Sequence, residues 1–99
     1  LAEAKLETGD AAGCVDASLR AQQIFAKLHE SEREWRAWLL AARASQRLGN
    51  LDGMRQQLSN AQALLNGLKE KWGNEAFNSY LSRPDIQFAH QQLSALAAS

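Results

Sequence analysis

Apolar positions recur along the chain at three- and four-residue intervals, and Gly or Pro interrupts the pattern at regular places. Six helical stretches follow from this spacing. The first covers residues 1–8 and ends at Gly9, which takes the left-handed conformation of a helix stop cheaply. Asp10 caps the second, about 10–29, whose apolar or small face is Cys14, Ala17, Ala21, Ile24, Phe25 and Leu28. Ser31 and Glu34 form a capping-box pattern at the start of the third, which runs to about Leu48 with Trp35, Trp38, Leu39, Ala41 and Ala42. Gly49 stops it and Asn50 caps the fourth, about 51–71. That stretch carries Met54, Leu58, Ala61, Leu64, Leu65, Leu68 and Trp72 on one side. Gly73 ends it. Asn74 caps a short fifth helix, about 75–82, and Pro84 fits the first turn of a sixth, where its missing amide costs little. The connections are two to four residues long, which sets neighbouring helices antiparallel.

Composition sharpens this to an all-α fold. The 99 residues include 18 Ala, 15 Leu and 9 Gln against four β-branched residues, Thr8, Val15, Ile24 and Ile86. Strands need β-branched and aromatic side chains to fill a pleated surface, whereas Ala, Leu and Gln lose little entropy in a helix. At 45% hydrophobic, the chain has enough apolar matter for one packed domain over residues 1–99. Charge is balanced, with 11 basic and 11 acidic residues, so nucleic acid is not an expected partner. No apolar run approaches the roughly 20 residues that span a bilayer, and no signal-peptide pattern opens the sequence. No membrane partner is expected, and the setting is expected to be cytoplasmic. The chain begins at Leu1 rather than Met, which reads as a fragment of something longer.

The stops also repeat. Gly9-Asp10 and Gly49-Asn50 stand forty residues apart, and at that offset residues 4–28 and 44–68 share Ala4/Ala44, Gly9/Gly49, Gly13/Gly53, Ala21/Ala61, Gln22/Gln62 and Leu28/Leu68. A period of this size is the mark of a solenoid. These residues resemble the tetratricopeptide repeat (TPR) family. Trp38 sits at the family's aromatic place on helix A, Ala41-Ala42 where Leu-Gly usually stands, and Gly49-Asn50 at the turn. Met54, Leu58 and Ala61 fill the helix-B slots. In the first repeat Leu1-Ala2, Gly9-Asp10, and Cys14, Ser18 and Ala21 match in turn. Lys5 and Ser45 replace the usual Tyr, the closing Pro is missing, and the period is forty rather than thirty-four. The longer period is similar to that of TPRs in bacterial multidomain signalling regulators; HEAT-type repeats are the lesser alternative.

The resemblance implies antiparallel hairpins stacked as a right-handed solenoid. Residues 1–29 would be a partial repeat, 31–72 a repeat, and 74–97 terminal capping helices. A terminal unit must cover the apolar edge of the stack, and Phe77, Tyr80, Leu81, Ile86 and Phe88 suit that task, with Gln and His turned outward. The implied function is a non-catalytic protein-interaction or scaffold module within a larger bacterial signalling protein. Structural self-association, as a homodimer or an array segment, is the alternative.

Candidate chemistry is sparse. Cys14 is the one thiol and lies on an apolar face, which favours packing over nucleophilic use. His29 and His90 have no His, Cys or acid at ligand spacing, and no glycine pattern forms a phosphate loop. Neither metal, cofactor nor catalysis is expected. Gly13 and Gly53, in the first turns of their helices, suggest close helix approach. Trp35 and Trp38, one turn apart, suit core or rim better than a ligand box. The third helix places Arg36, Arg43 and Arg47 at i, i+7 and i+11, hence on one face, away from Trp38 and Ala42. In the TPR resemblance that face lines the concave groove, so Arg36, Leu39, Arg43, Gln46 and Arg47 are the candidate residues for gripping an acidic protein or peptide. An ordinary solvated face near Glu32 and Glu34 is the competing interpretation. The Lys/Asn carboxylate clamp of some TPRs is absent, since Leu39 and Arg43 stand at two of its places.

Overall fold

The computed structural model describes residues 10–98, and within them the chain is all helix with no strand. Helix α1 spans Ala11–Lys27, α2 Ser31–Arg47, α3 Leu51–Trp72, α4 Asn74–Leu81 and α5 Pro84–Ala97. The expected helix over 1–8 and its stop at Gly9 lie outside the described residues.

The first three helices begin at residues 11, 31 and 51, and the joints between them are built alike. After α1, the Glu30 amide donates to the Phe25 carbonyl (2.9 Å); after α2, the Asn50 amide donates to the Ser45 carbonyl (2.9 Å). Both are Schellman closures, which need a residue in the left-handed region. Gly49 supplies it at φ 78°, but at the first joint the residue is His29, at φ 57°. A side chain there carries a steric cost that glycine avoids.

Two of the expected caps form. Asp10 Oδ1 accepts from the Gly13 amide (2.9 Å) and Asn50 Oδ1 from the Gly53 amide (3.1 Å), forty residues apart. The cap side chain lies directly over the glycine in each case, so a Cβ at Gly13 or Gly53 would meet the Asp10 carboxylate or the Asn50 amide. The glycines make room for the caps rather than for a neighbouring helix. Two other caps do not form. Glu30 is the residue before α2, and Ser31 is already helical with no side-chain cap. Glu34 is drawn away from the expected capping box: its Oε2 accepts from Gln22 Nε2 of α1 (2.8 Å) and from Trp38 Nε1 (3.3 Å). Likewise Gly73, at φ 84°, precedes α4 and Asn74 is its first residue, without a cap bond. Pro84 takes the first turn of α5 as its ring geometry favours.

Short joints fold α1, α2 and α3 back on one another. Gln22 meets Glu34 near the first joint, while Cys14 and Ala44 share a buried cluster at the far end, so α1 and α2 run antiparallel. Their seam is made of small side chains: Ala11, Cys14, Ser18, Ala37, Ala41 and Ala44 are all buried. The Cys14 thiol is buried within it and approaches Ser18 Oγ at 3.9 Å, a packing role. Large side chains fill the other face of α2. Trp35, Leu39, Met54, Leu58, Leu65 and Leu68 form one core with Phe77, Tyr80, Ile86, Leu93 and Leu96 from α4 and α5.

Trp35, fully buried, is the hub of that core. Its Nε1 donates to the Tyr80 hydroxyl at 3.0 Å, and Trp72 meets the Tyr80 ring edge-on at 5.1 Å. Trp72 therefore packs on the terminal helices. Trp38 lies at the rim, half-buried against the core. Burial pushes the Tyr80 hydroxyl pKa above its ordinary value, against smaller lowering effects from the Trp35 bond and nearby arginines.

Three outcomes follow. Tyr80→Phe leaves a buried indole N–H without an acceptor and lowers unfolding free energy by about 1–3 kcal/mol, measured by denaturant titration. His29→Gly relieves the left-handed strain and raises it by about 0.5–1 kcal/mol in the same assay. Tyr80 is the one tyrosine, so tyrosinate absorbance reports it alone. Its midpoint in the folded protein lies above the value of about 10 seen when unfolded. Because the folded state holds this proton more tightly, its contribution is fully present below pH about 10 and is lost as pH rises through the folded pKa. A midpoint at or below the unfolded value contradicts the burial of Tyr80.

Candidate functional site

Helix α2 is central: α1, α3 and α5 all pack against it. Its Trp35 face is used by the α3 core and its Ala41/Ala44 face by α1. Helices α1 and α5 flank a third face of α2 with their backbones held apart, no Cα of one within 8 Å of the other, which leaves a trough along α2. The trough has a volume of about 460 Å³.

Its wall on α1 is Ser18, Ala21 and Phe25; its floor on α2 is Ala37 and Leu40 over the buried Leu39; its wall on α5 is Phe88 and Ala89. Arg33, Arg36 and Arg43 stand along the α2 side, with Asp85 and Gln92 opposite on α5. Ser18, Ala21, Ala37 and Ala89 are small, and the two phenylalanines line the trough from either side. Phe88 was expected to cover the stack, yet 60% of it is exposed. Register explains this: Ile86, Leu93 and Leu96 form the buried stripe of α5, and Phe88 falls off that stripe toward α1. Of the expected outward Gln and His, Gln87 and Gln91 are exposed, while His90 and Gln92 are half-buried.

The predicted groove residues divide. Arg36, Leu39 and Arg43 line the trough. Arg36 reaches Asp85 across it at 3.9 Å, and its Nε donates to the Glu32 carbonyl at 3.3 Å. Arg43 donates to Gln92 Oε1 at 3.3 Å, a neutral acceptor. Both arginines thus tie α2 to α5 at long range as well as facing the opening. Asp85 is shared, since Arg83 approaches it at 3.5 Å. Leu39 is only 3% exposed: it belongs to the main core and reaches the trough floor as well. Gln46 and Arg47 lie past the trough, with Arg43, Gln92, Ala95 and Leu96 around a separate shallow depression.

Most of the trough lining lies outside the sequence-derived set, Arg33, Phe25, Leu40 and Phe88 among it. Phe25 was visible as part of the apolar stripe of α1. That stripe is only partly covered, since Ala21 and Phe25 are half-buried while Ile24 and Leu28 are exposed. Arg33 precedes Arg36 by nearly one turn, so the same spacing argument reaches it.

Other chemistry does not converge. Cys14 is buried in the α1–α2 seam, His29 sits in the first joint, and His90 lines a depression with residues of α3 and α4. Among the described residues no three His, Cys, Asp or Glu side chains gather to hold a metal ion, and no helix is long and apolar enough to cross a membrane. Comparison with family models, with curated proteins and with solved structures found no match.

Proposed function

We propose that the chain is a protein-interaction module of tetratricopeptide-like design, with partner recognition as its function and no chemistry of its own. The trough between α1, α2 and α5 carries this reading. It is concave, apolar at its floor, and edged by arginines, the combination from which recognition surfaces are built. The repeat design is supported by the paired Asp10/Gly13 and Asn50/Gly53 caps forty residues apart and by the matching joints after α1 and α2. On this design α1 is the second helix of one hairpin, α2 and α3 form the next, and α4 and α5 close the end. A setting within a larger bacterial signalling protein is what the family resemblance implies.

Self-association is the second reading, and one observation favours it. Ile24, Leu28, Leu48 and Leu51 each expose half or more of a large apolar side chain. If these pair two copies, mass by sedimentation rises with concentration, and Leu28→Lys abolishes the rise.

The module reading is tested by capture. Arg36 and Arg43 contact α5, so reversing their charge disturbs packing; exposed Phe88 is the better target. The chain and its Phe88→Glu variant, matched by circular dichroism and melting temperature, are immobilised and exposed to the source cell's lysate. A defined protein retained by the native chain and lost by the variant is expected. Equal retention on both, or retention of nothing, overturns the assignment of the trough as the recognition surface.

A further inference from the structure

We infer that the trough receives an amphipathic helix of a partner protein, whose apolar stripe is flanked by carboxylates. The inference rests on the interaction-module reading and adds the shape and charge of the partner.

Shape comes first. Helices α1 and α5 stand on either side of α2 with their backbones apart, so the seat has two helical walls and a helical floor. Backbone groups of all three are bonded within their own helices, and the floor is Ala37 and Leu40. An extended segment laid there would leave its own amides and carbonyls without partners, at a cost comparable to lost hydrogen bonds. A helix brings its backbone already satisfied. Ala21, Ala37 and Ala89 let a helix approach closely, while Phe25 and Phe88 can close over an apolar stripe from both sides. This is the helix-in-groove mode, read by anchors at i, i+3 or i+4, and i+7.

Charge comes second. The whole chain is neutral, yet the trough carries Arg33, Arg36 and Arg43 against one carboxylate, Asp85. None of the three holds a carboxylate closer than 3.9 Å. Arg33 approaches Glu30 only at 3.9 Å, Arg36 approaches Asp85 only at 3.9 Å, and Arg43 holds a neutral amide. Asp85 keeps Arg83 at 3.5 Å, so a partner carboxylate can take Arg36 without stranding it. Arg33 and Arg43 are separated by about 15 Å along α2 at 1.5 Å per residue. The complementary carboxylates therefore spread over nearly three turns of the partner helix. Asp85 is the internal competitor for the central one.

The test uses a labelled synthetic helix of about five turns, Ala- and Gln-based, with Leu at i, i+4, i+7 and i+11 and Glu beside that stripe. Two controls replace every Glu by Gln, or every Leu by Ser. Binding to the full chain is followed by fluorescence anisotropy at low and moderate salt. The Glu-Leu helix is expected to bind, and each control to bind about tenfold or more weakly. Arg33→Gln, an exposed change at a side chain whose ion pair is with Glu30 rather than with α5, weakens binding about threefold, and Phe88→Glu removes it. Asp85→Asn leaves binding intact or tightens it by removing the competitor. Melting curves confirm that each variant is folded.

Equal binding of the Glu and Gln helices, or indifference to both Arg33→Gln and Phe88→Glu, overturns the inference. So does failure of the Glu-Leu helix to bind. Concentration-dependent mass that Phe88→Glu abolishes identifies a second copy as the occupant and also overturns it. A lysate protein whose capture depends on Phe88, together with no binding of the synthetic helix, leaves the module reading standing and removes this occupant alone.

Discussion

The hydrogen bond from Trp35 Nε1 to the Tyr80 hydroxyl is the contact on which the rest of the architecture turns. A buried indole needs an acceptor for its single donor, and a buried phenol needs a polar neighbour. Each meets the other's need at the centre of the α2–α3–α4 core. Trp72 then fixes the Tyr80 ring from the end of α3. This joins a hairpin, which alone would have an open apolar face, to the two short terminal helices. It also fixes α4, and through the brief joint at Ser82–Arg83 it sets where α5 starts. The position of α5 in turn gives the trough its second wall.

The two faces of α2 are packed by different means. Toward α3 and the terminal helices the side chains are large, and the burial of Trp35, Leu58, Leu65, Tyr80 and Ile86 removes much apolar surface from water. Toward α1 the seam is alanine, cysteine and serine. Small residues bring the helix axes close but bury less apolar surface per residue. On α1, Phe25 is half-buried and Ile24 and Leu28 are exposed. The trough is thus a consequence of packing α1 and α5 to separate flanks of one central helix.

Much of the local structure was legible in the sequence. Gly49 and Gly73 stop helices because their backbones adopt positive φ. Asp10 and Asn50 cap because each has a glycine three residues on that leaves space for its side chain. The Ser31/Glu34 pair misled because capping-box spacing is a local signal, while Gln22 and Trp38 compete for the Glu34 carboxylate through contacts that depend on α1 packing and rotamer. His29 carried no turn signal. The closure of the joint sets its left-handed conformation, which His adopts more readily than most side chains but less readily than glycine.

Spacing alone placed Arg36 and Arg43 on one face of α2, since helical periodicity is fixed by backbone geometry. It could not separate Leu39, a core residue, from them, because residues three apart share a helix flank whichever neighbour covers it. The sequence by itself determined the all-α class, the five described helices and the stops at Gly49 and Gly73, because these depend on propensity and period within one segment. Only the tertiary structure decided that Phe88 faces outward, that Asp85 and Gln92 stand opposite the arginines, and that α1 and α5 leave a trough between them. Those facts depend on the relative placement of helices distant in sequence, which no local pattern encodes.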